Sequence, residues 1–143
     1  MKIKVLLVDD ERDFVDALAE RLEMRDFEIS KAFNGDEALA AVNSGDVDVV
    51  VLDVLMPGKD GIATLKEIKQ AKPLLEVIML TGNATVESAI EGLKVGAFDY
   101  LMKPTETKDL IAKIVQAYKR KAEQEDRIRQ AHIESIMLRR GWT

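Results

Sequence analysis

Five short apolar runs, at residues 4–8, 27–33, 47–52, 77–80 and 100–102, alternate along the chain with stretches of helical periodicity. No other feature restricts the fold as much. Three of the runs are nearly unbroken Val, Leu and Ile, as expected of strands covered on both faces. The second run interleaves Glu28, Ser30 and Lys31 with its apolar residues, which places it at a sheet edge. Between the runs, Phe14, Val15, Leu18 and Leu22 share one helical face, as do Ile62, Leu65 and Ile68, and Val86, Ala89, Ile90 and Leu93. A short Ala-rich stretch at 36–42 follows the Asn34-Gly35 turn. Thr107 reads as the N-cap of a last helix carrying Leu110, Ile111, Ile114, Val115 and Tyr118. Strict strand–helix alternation predicts an α/β fold, a doubly wound five-stranded parallel sheet with helices on both faces.

Parallel sheets of this kind bind ligands outside the carboxyl ends of their strands. At those ends stand Asp9-Asp10 after the first run, Asp53 after the third, Thr81 after the fourth and Lys103-Pro104 after the fifth. Each has an ordinary reading by itself: Asp-Asp as a helix cap, Lys-Pro as a turn. Together they make a set. Three converging carboxylates repel one another unless a cation neutralises them. An all-oxygen ligand set calls for a hard ion, and Mg²⁺ fits a site of a few carboxylates and retained waters. A lysine and a hydroxyl at the same place suit a phosphoryl group, and a carboxylate can itself act as the nucleophile toward phosphorus.

Composition closes other routes. The chain has no cysteine, which excludes disulfides and thiolate metal sites, and His132 is its only histidine, too few for a zinc centre. Asp9-Asp10 interrupts the first apolar run after Val8, which rules that run out as a signal-peptide core or a membrane span. A cytoplasmic location is the expectation. A net charge of −5 argues against general nucleic-acid binding.

From residue 1 to about 120 the chain resembles the receiver domain of two-component response regulators. The motifs are Val-Asp-Asp-Glu at 8–11, Asp-Val-Leu-Met-Pro-Gly-Lys-Asp-Gly at 53–61, Leu-Thr-Gly-Asn-Ala at 80–84 and Gly-Ala-Phe-Asp-Tyr-Leu-Met-Lys-Pro at 96–104. The resemblance implies a flavodoxin-like strand order 2-1-3-4-5. It implies Asp53 as phosphoacceptor, and Mg²⁺ held by Asp10, Asp53 and the backbone carbonyl of Leu55, with Asp9 acting through water. It implies Thr81 and Lys103 as contacts to the phosphoryl group and Tyr100 as the aromatic switch residue. It also implies a cis Lys103–Pro104 peptide, a turn at Gly61 and a loop shaped by Met56-Pro57. Leu55 and Asn83 flank the path of the hydrolytic water and bear on how long the phosphoryl group lasts. The implied activity is that of a signalling switch and not of an enzyme in the usual sense, with a sensor histidine kinase or a phosphotransfer protein as donor. The expected output surface is the fourth helix, fifth strand and fifth helix. There Ile90, Leu93, Ile111 and Val115 are expected in the core, and Glu91, Lys94 and Asp109 outside.

Beyond residue 120 the composition changes. Residues 119–140 carry seven basic and four acidic side chains, a net +3 that leaves about −8 on the rest. With no Gly/Pro/Ser linker, residues 121–143 read as a charged helical tail or linker, continuous with the last helix or briefly broken. Three readings stay open: a single-domain regulator acting on a downstream protein, the amino-terminal piece of a larger regulator with a separate output module, or a tail packed back on its own domain. Trp142 would be a docking residue in the last case. A homodimer is a further family behaviour. Mg²⁺-dependent phosphohydrolases also use an aspartate nucleophile on such a sheet. They place it after the first strand, often with a second Asp two residues on, whereas here the first strand ends in adjacent aspartates. An inactive scaffold is the remaining alternative, against which the complete set of five residues argues.

Overall fold

The computed structural model describes residues 2–54, 56, 60–82 and 85–141. The elements follow the expected alternation: β1 (Lys4–Val8), α1 (Arg12–Glu23), β2 (Glu28–Ala32), α2 (Gly35–Ser44), β3 (Val49–Leu52), α3 (Gly61–Ala71), β4 (Glu76–Thr81), α4 (Val86–Val95), β5 (Asp99–Met102) and α5 (Thr107–Arg139). The five strands form one parallel sheet in the order β2-β1-β3-β4-β5. Period two sorts the strand residues onto opposite faces. Leu6, Val8, Val50, Leu52, Val77 and Met79 pack under α2 and α3, with Leu65 and Ile68. Val5, Leu7, Val49, Val51, Ile78 and Leu80 pack under α1 and α5, with Leu18, Leu22, Leu110 and Ile114. The central β1, β3 and β4 are buried throughout except Lys4, and β2 is mostly exposed, as its polar alternation requires.

Two expectations need correction, and the choice left open for the tail is decided. Thr107 is the first helical residue of α5; Glu106 holds the N-cap position and makes no side-chain cap bond. Of the readings of the tail, the one continuous with the last helix holds, and it does not fold back. With no Gly or Pro to stop it, α5 runs unbroken from Thr107 to Arg139, and Ile128 and Leu138 stand exposed. Finally, Ile90 and Leu93 are not core residues, since each is 47% exposed. The only buried residue of α4 is Gly92. A Cβ there would collide with the Met79 side chain, so α4 is seated on a glycine and its stripe of large apolar residues turns outward. Ile111 and Val115 are half-buried against the α1–α5 core.

Candidate phosphoacceptor site

The backbone ladder continues one residue past β1 and β3. The Asp9 amide donates to Ala32 O at 3.2 Å and the Asp53 amide to Val8 O at 2.9 Å. These bonds set Asp9 and Asp53 side by side at the carboxyl edge, 4% and 5% exposed. Asp10, the next residue, faces solvent. One carboxylate oxygen from each of Asp9, Asp10 and Asp53 lies within 4.8 Å of the other two. At that spacing a pair of charges repels by about 3 kcal/mol at an effective dielectric near 20, less where Asp10 meets water. The three acids therefore fit a small hard cation: the donors are all oxygen, they are close enough to share one ion, and one side lies open for waters.

Lys103 answers part of that charge. Its Nζ is 2.6 Å from Asp9 Oδ2 and 3.3 Å from Glu11 Oε1, and it lies 4.1 Å from the centroid of the Phe14 ring. Burial pushes its pKa down, but the hydrogen bond to Asp9, the charges of Asp9 and Asp53 and the bond to Glu11 outweigh that, and the pKa is raised. The other oxygen of Asp9 accepts the Glu11 amide at 3.0 Å, so Asp9 is spoken for on both sides. The Lys103 amide donates to Thr81 O at 2.9 Å, which ties the ends of β4 and β5 together, and the Lys103–Pro104 peptide is cis. Thr81 is 1% exposed at the end of β4.

Behind Asp53 the chain closes tightly. The Asp60 carboxylate caps α3 by accepting the Ala63 amide at 2.8 Å, a bond of about 1 kcal/mol. The Gly61 amide donates to Val54 O at 2.7 Å. A Cβ on Gly61 would overlap the backbone of Asp53 and Val54. Gly61 therefore serves close approach, holding α3 against the acceptor segment. Leu55, Pro57, Asn83 and Trp142, all named from the sequence, lie outside the described residues.

Tyr100 is half-buried, packed against the core under α2 and α3, and its hydroxyl is 3.4 Å from Ser88 Oγ. Ser88 also completes a reciprocal capping box with Thr85 at the start of α4. Thus Asp9, Asp10, Asp53, Thr81 and Lys103 meet at one edge as expected, and Tyr100 stands on the neighbouring strand beside α4. The sequence reading did not assign Glu11, Phe14 or Ser88. Glu11 sits inside the Val-Asp-Asp-Glu motif, and its signal was adjacency; Phe14 and Ser88 carried no signal beyond their place on a helix.

Residues 5–115 match the family model described as the response regulator receiver domain. The chain belongs to that family. This receiver is 44% identical over 111 residues to the transcriptional regulatory protein CpxR of Klebsiella pneumoniae, covering 78% of the chain and 47% of the relative. It is 43% identical over 103 residues to the transcriptional regulatory protein ZraR of Salmonella typhimurium, covering 72% of the chain and 23% of the relative. The receiver thus spans about half the length, or less, of these curated relatives. A CheY-like receiver from Methanospirillum hungatei superimposes with a TM-score of 0.83 at 27% identity, over 87% of this chain and 99% of that one. The chain is the receiver domain of a two-component response regulator, a phosphorylation-controlled switch. Among the described residues no helix is long and apolar enough to cross a membrane.

Proposed function

We propose that this receiver takes a phosphoryl group onto Asp53 from a phosphohistidine donor, a sensor histidine kinase or a phosphotransfer protein. The observation that carries the reading is the trio of carboxylates within 4.8 Å at the carboxyl edge, with Lys103 against it. An Asp53 oxygen attacks phosphorus in line. The P–O bond forms as the P–N bond breaks, and the electron pair leaves on the donor imidazole. Asp10, Asp53 and the Leu55 carbonyl would hold Mg²⁺ directly and Asp9 through water; when bound, it supplies positive charge against the acids and the phosphoryl oxygens. The grip of Asp9 on Lys103 suits it to the less direct role. Lys103 exchanges part of its ion pair with Asp9 and Glu11 for a phosphoryl oxygen. The raised pKa keeps it charged at neutral pH.

The readout follows from Thr81 and Tyr100. The Thr81 hydroxyl turns to a phosphoryl oxygen, the space beside it opens, and Tyr100 swings inward, leaving Ser88. That movement biases a pre-existing equilibrium. Because Ser88 is half of the α4 capping box, the start of α4 is loosened or re-formed with it. The surface that changes is α4, β5 and α5, read by a downstream protein or an output module. Residues 1–120 form the switch and 121–143 a charged helical tail or linker.

Intact mass spectrometry after acetyl phosphate treatment, with and without Mg²⁺ and beside Asp53→Asn, tests this. One phosphoryl group gained with Mg²⁺, and none in the variant, is the expected result. Phosphorylation of the variant to the same stoichiometry would refute the assignment. Donor turnover without an adduct would favour the phosphohydrolase reading or a very short-lived phosphoryl group.

A further inference from the structure

One ammonium serves two states of this site. At rest the Lys103 Nζ sits 2.6 Å from Asp9 Oδ2 and 3.3 Å from Glu11 Oε1. In the reaction it gives up part of that pairing for a phosphoryl oxygen. The Phe14 ring touches the same ammonium and makes no such claim on it. Nζ lies over the ring, 4.1 Å from its centroid. A ring face attracts a cation through its quadrupole and has no lone pair to match against one N–H. The ammonium can therefore turn its hydrogens from an acid to a phosphoryl oxygen without leaving the ring.

The fold holds Phe14 in place for this. It is the third residue of α1, and it packs with Val15, Leu18 and Leu22 against the sheet. The helix begins just after the Asp9-Asp10 pair, so its first turn stands at the carboxyl edge. The ring is half-buried and lines two crevices. One is narrow, and Asp9 and Asp53 line it too. The other, of about 120 Å³, opens between α1 and the start of α5 and is shared with Lys103, Pro104 and Thr107. Phe14 thus borders both the acids and a space that a lysine side chain can enter. The Lys103 side chain is 15% exposed, so water screens the attraction little. Packing explains why residue 14 is apolar, but it does not call for a ring, since Leu or Ile would fill the same stripe. Arg12 lies on Phe33 at 4.0 Å and Arg120 on Phe98 at 4.9 Å, but neither cation stands in the acceptor set.

We propose that Phe14 is a positioning residue for the phosphoryl transfer: its ring keeps the Lys103 ammonium beside the acceptor while contacts to Asp9 and Glu11 are exchanged for the phosphoryl group. The inference rests on Asp53 as the acceptor, and Phe14 acts through Lys103 alone. The ring narrows the positions open to Nζ before the donor arrives, and a charge already in place needs no rearrangement as the phosphoryl group moves. A leucine at 14 leaves the ammonium to its acids or to the outer crevice, and both draw it from the phosphoryl oxygens.

The test replaces Phe14 with Leu and, by site-specific incorporation, with phenylalanines of increasing ring fluorination, which keep the shape and drain the negative face. Initial rates of phosphorylation by acetyl phosphate with Mg²⁺ are expected to fall stepwise with fluorine content, and by about three- to tenfold in Phe14→Leu. In a Lys103→Met background the fluorine series is expected to be flat, because no cation is left to feel the ring. Without donor or Mg²⁺, NMR spectra of the wild-type chain are expected to show the Lys103 Cε protons shifted upfield by the ring, a shift lost in Phe14→Leu. Rates indifferent to fluorine would overturn the inference even where Phe14→Leu is slow, since packing would then account for that loss. An unshifted Lys103 signal would overturn it as well. A wild-type chain that gains no phosphoryl group at all overturns the Asp53 assignment and takes this inference with it, and the rate of the unmodified chain tells the two failures apart.

Discussion

The two edges of the sheet each bury a carboxylate against a cation, and they do opposite things with it. At the carboxyl edge, three acids gather, and Lys103 is paired with one of them, Asp9. At the amino edge, Glu76, 1% exposed at the start of β4, faces Lys69 of α3 at 3.7 Å and Arg120 of α5, whose Nε also contacts it closely. Arg120 lies over the Phe98 ring as well, 4.9 Å from its centroid. One edge holds an excess of negative charge that invites a cation and a phosphoryl group. The other is closed by its own two cations and locks α3 and α5 to the sheet. The lysines register the difference. Burial pushes Lys69 down, and the charge of Arg120 adds to that, so its pKa is lowered despite Glu76. Lys103, also half-buried, is raised because the acids outnumber it. A buried ion pair alone therefore says little about function; the sign and size of the charge left over says more.

The largest expected effect separates the edges by activity. Asp10→Asn removes an exposed acid, and phosphorylation by acetyl phosphate with Mg²⁺ should slow by about 100-fold or more, since even groups behind metal ligands cost 10–100-fold. Glu76→Ala, more deeply buried, should leave that rate within about twofold, because Glu76 stands at the start of β4, at the other end of the sheet from the acceptor. Equal losses in the two variants would mean that the edges are not independent.

Stability should divide them the other way. Glu76→Ala strands Lys69 and Arg120 beside a cavity, and urea unfolding should show a loss of about 2 kcal/mol, moderated because Arg120 keeps contact with water. Asp10→Asn without divalent ions relieves repulsion and should gain about 1 kcal/mol. Adding Mg²⁺ should then stabilise the wild-type chain far more than the variant, by linkage to the folded state. Destabilisation by Asp10→Asn in the absence of Mg²⁺ would show that the three carboxylates are not under mutual repulsion.

The contrast also explains what could be read from sequence. The carboxyl edge was legible because four of the five apolar runs are followed at once by a functional residue, so topology alone brings Asp9, Asp10, Asp53, Thr81 and Lys103 together. The amino edge was not. Glu76 falls just outside an apolar run that starts at Val77, and its partner Arg120 is 44 residues away in a stretch that reads as tail charge. No local pattern joins them. Periodicity found the stripe on α4 but not its direction, because the outcome turns on Gly92 meeting Met79, a tertiary contact. The length of α5 was open for a related reason: nothing between Thr107 and Arg139 stops a helix, yet nothing in the sequence says what supports it.

The smallest effect is in the alkaline limb of stability. Lys69 has a folded pKa below its ordinary 10.5, so between those values the unfolded chain binds more protons, and stability rises with pH. Lys103 has a folded pKa above 10.5, so its contribution is complete below that pH and is lost as pH climbs through the raised value. The two edges therefore bend the same curve in opposite directions, one before pH 10.5 and one after. Unfolding free energies measured from pH 8 to 11.5 should show Lys69→Met flattening the first limb and Lys103→Met the second, each by a few tenths of a kcal/mol after solvent screening. Mg²⁺ should reduce the second limb and leave the first, because a cation among Asp9, Asp10 and Asp53 competes with Lys103 and is remote from Lys69. A first limb that also shrinks with Mg²⁺ would place the cation's influence across the whole sheet and undo the distinction between the edges.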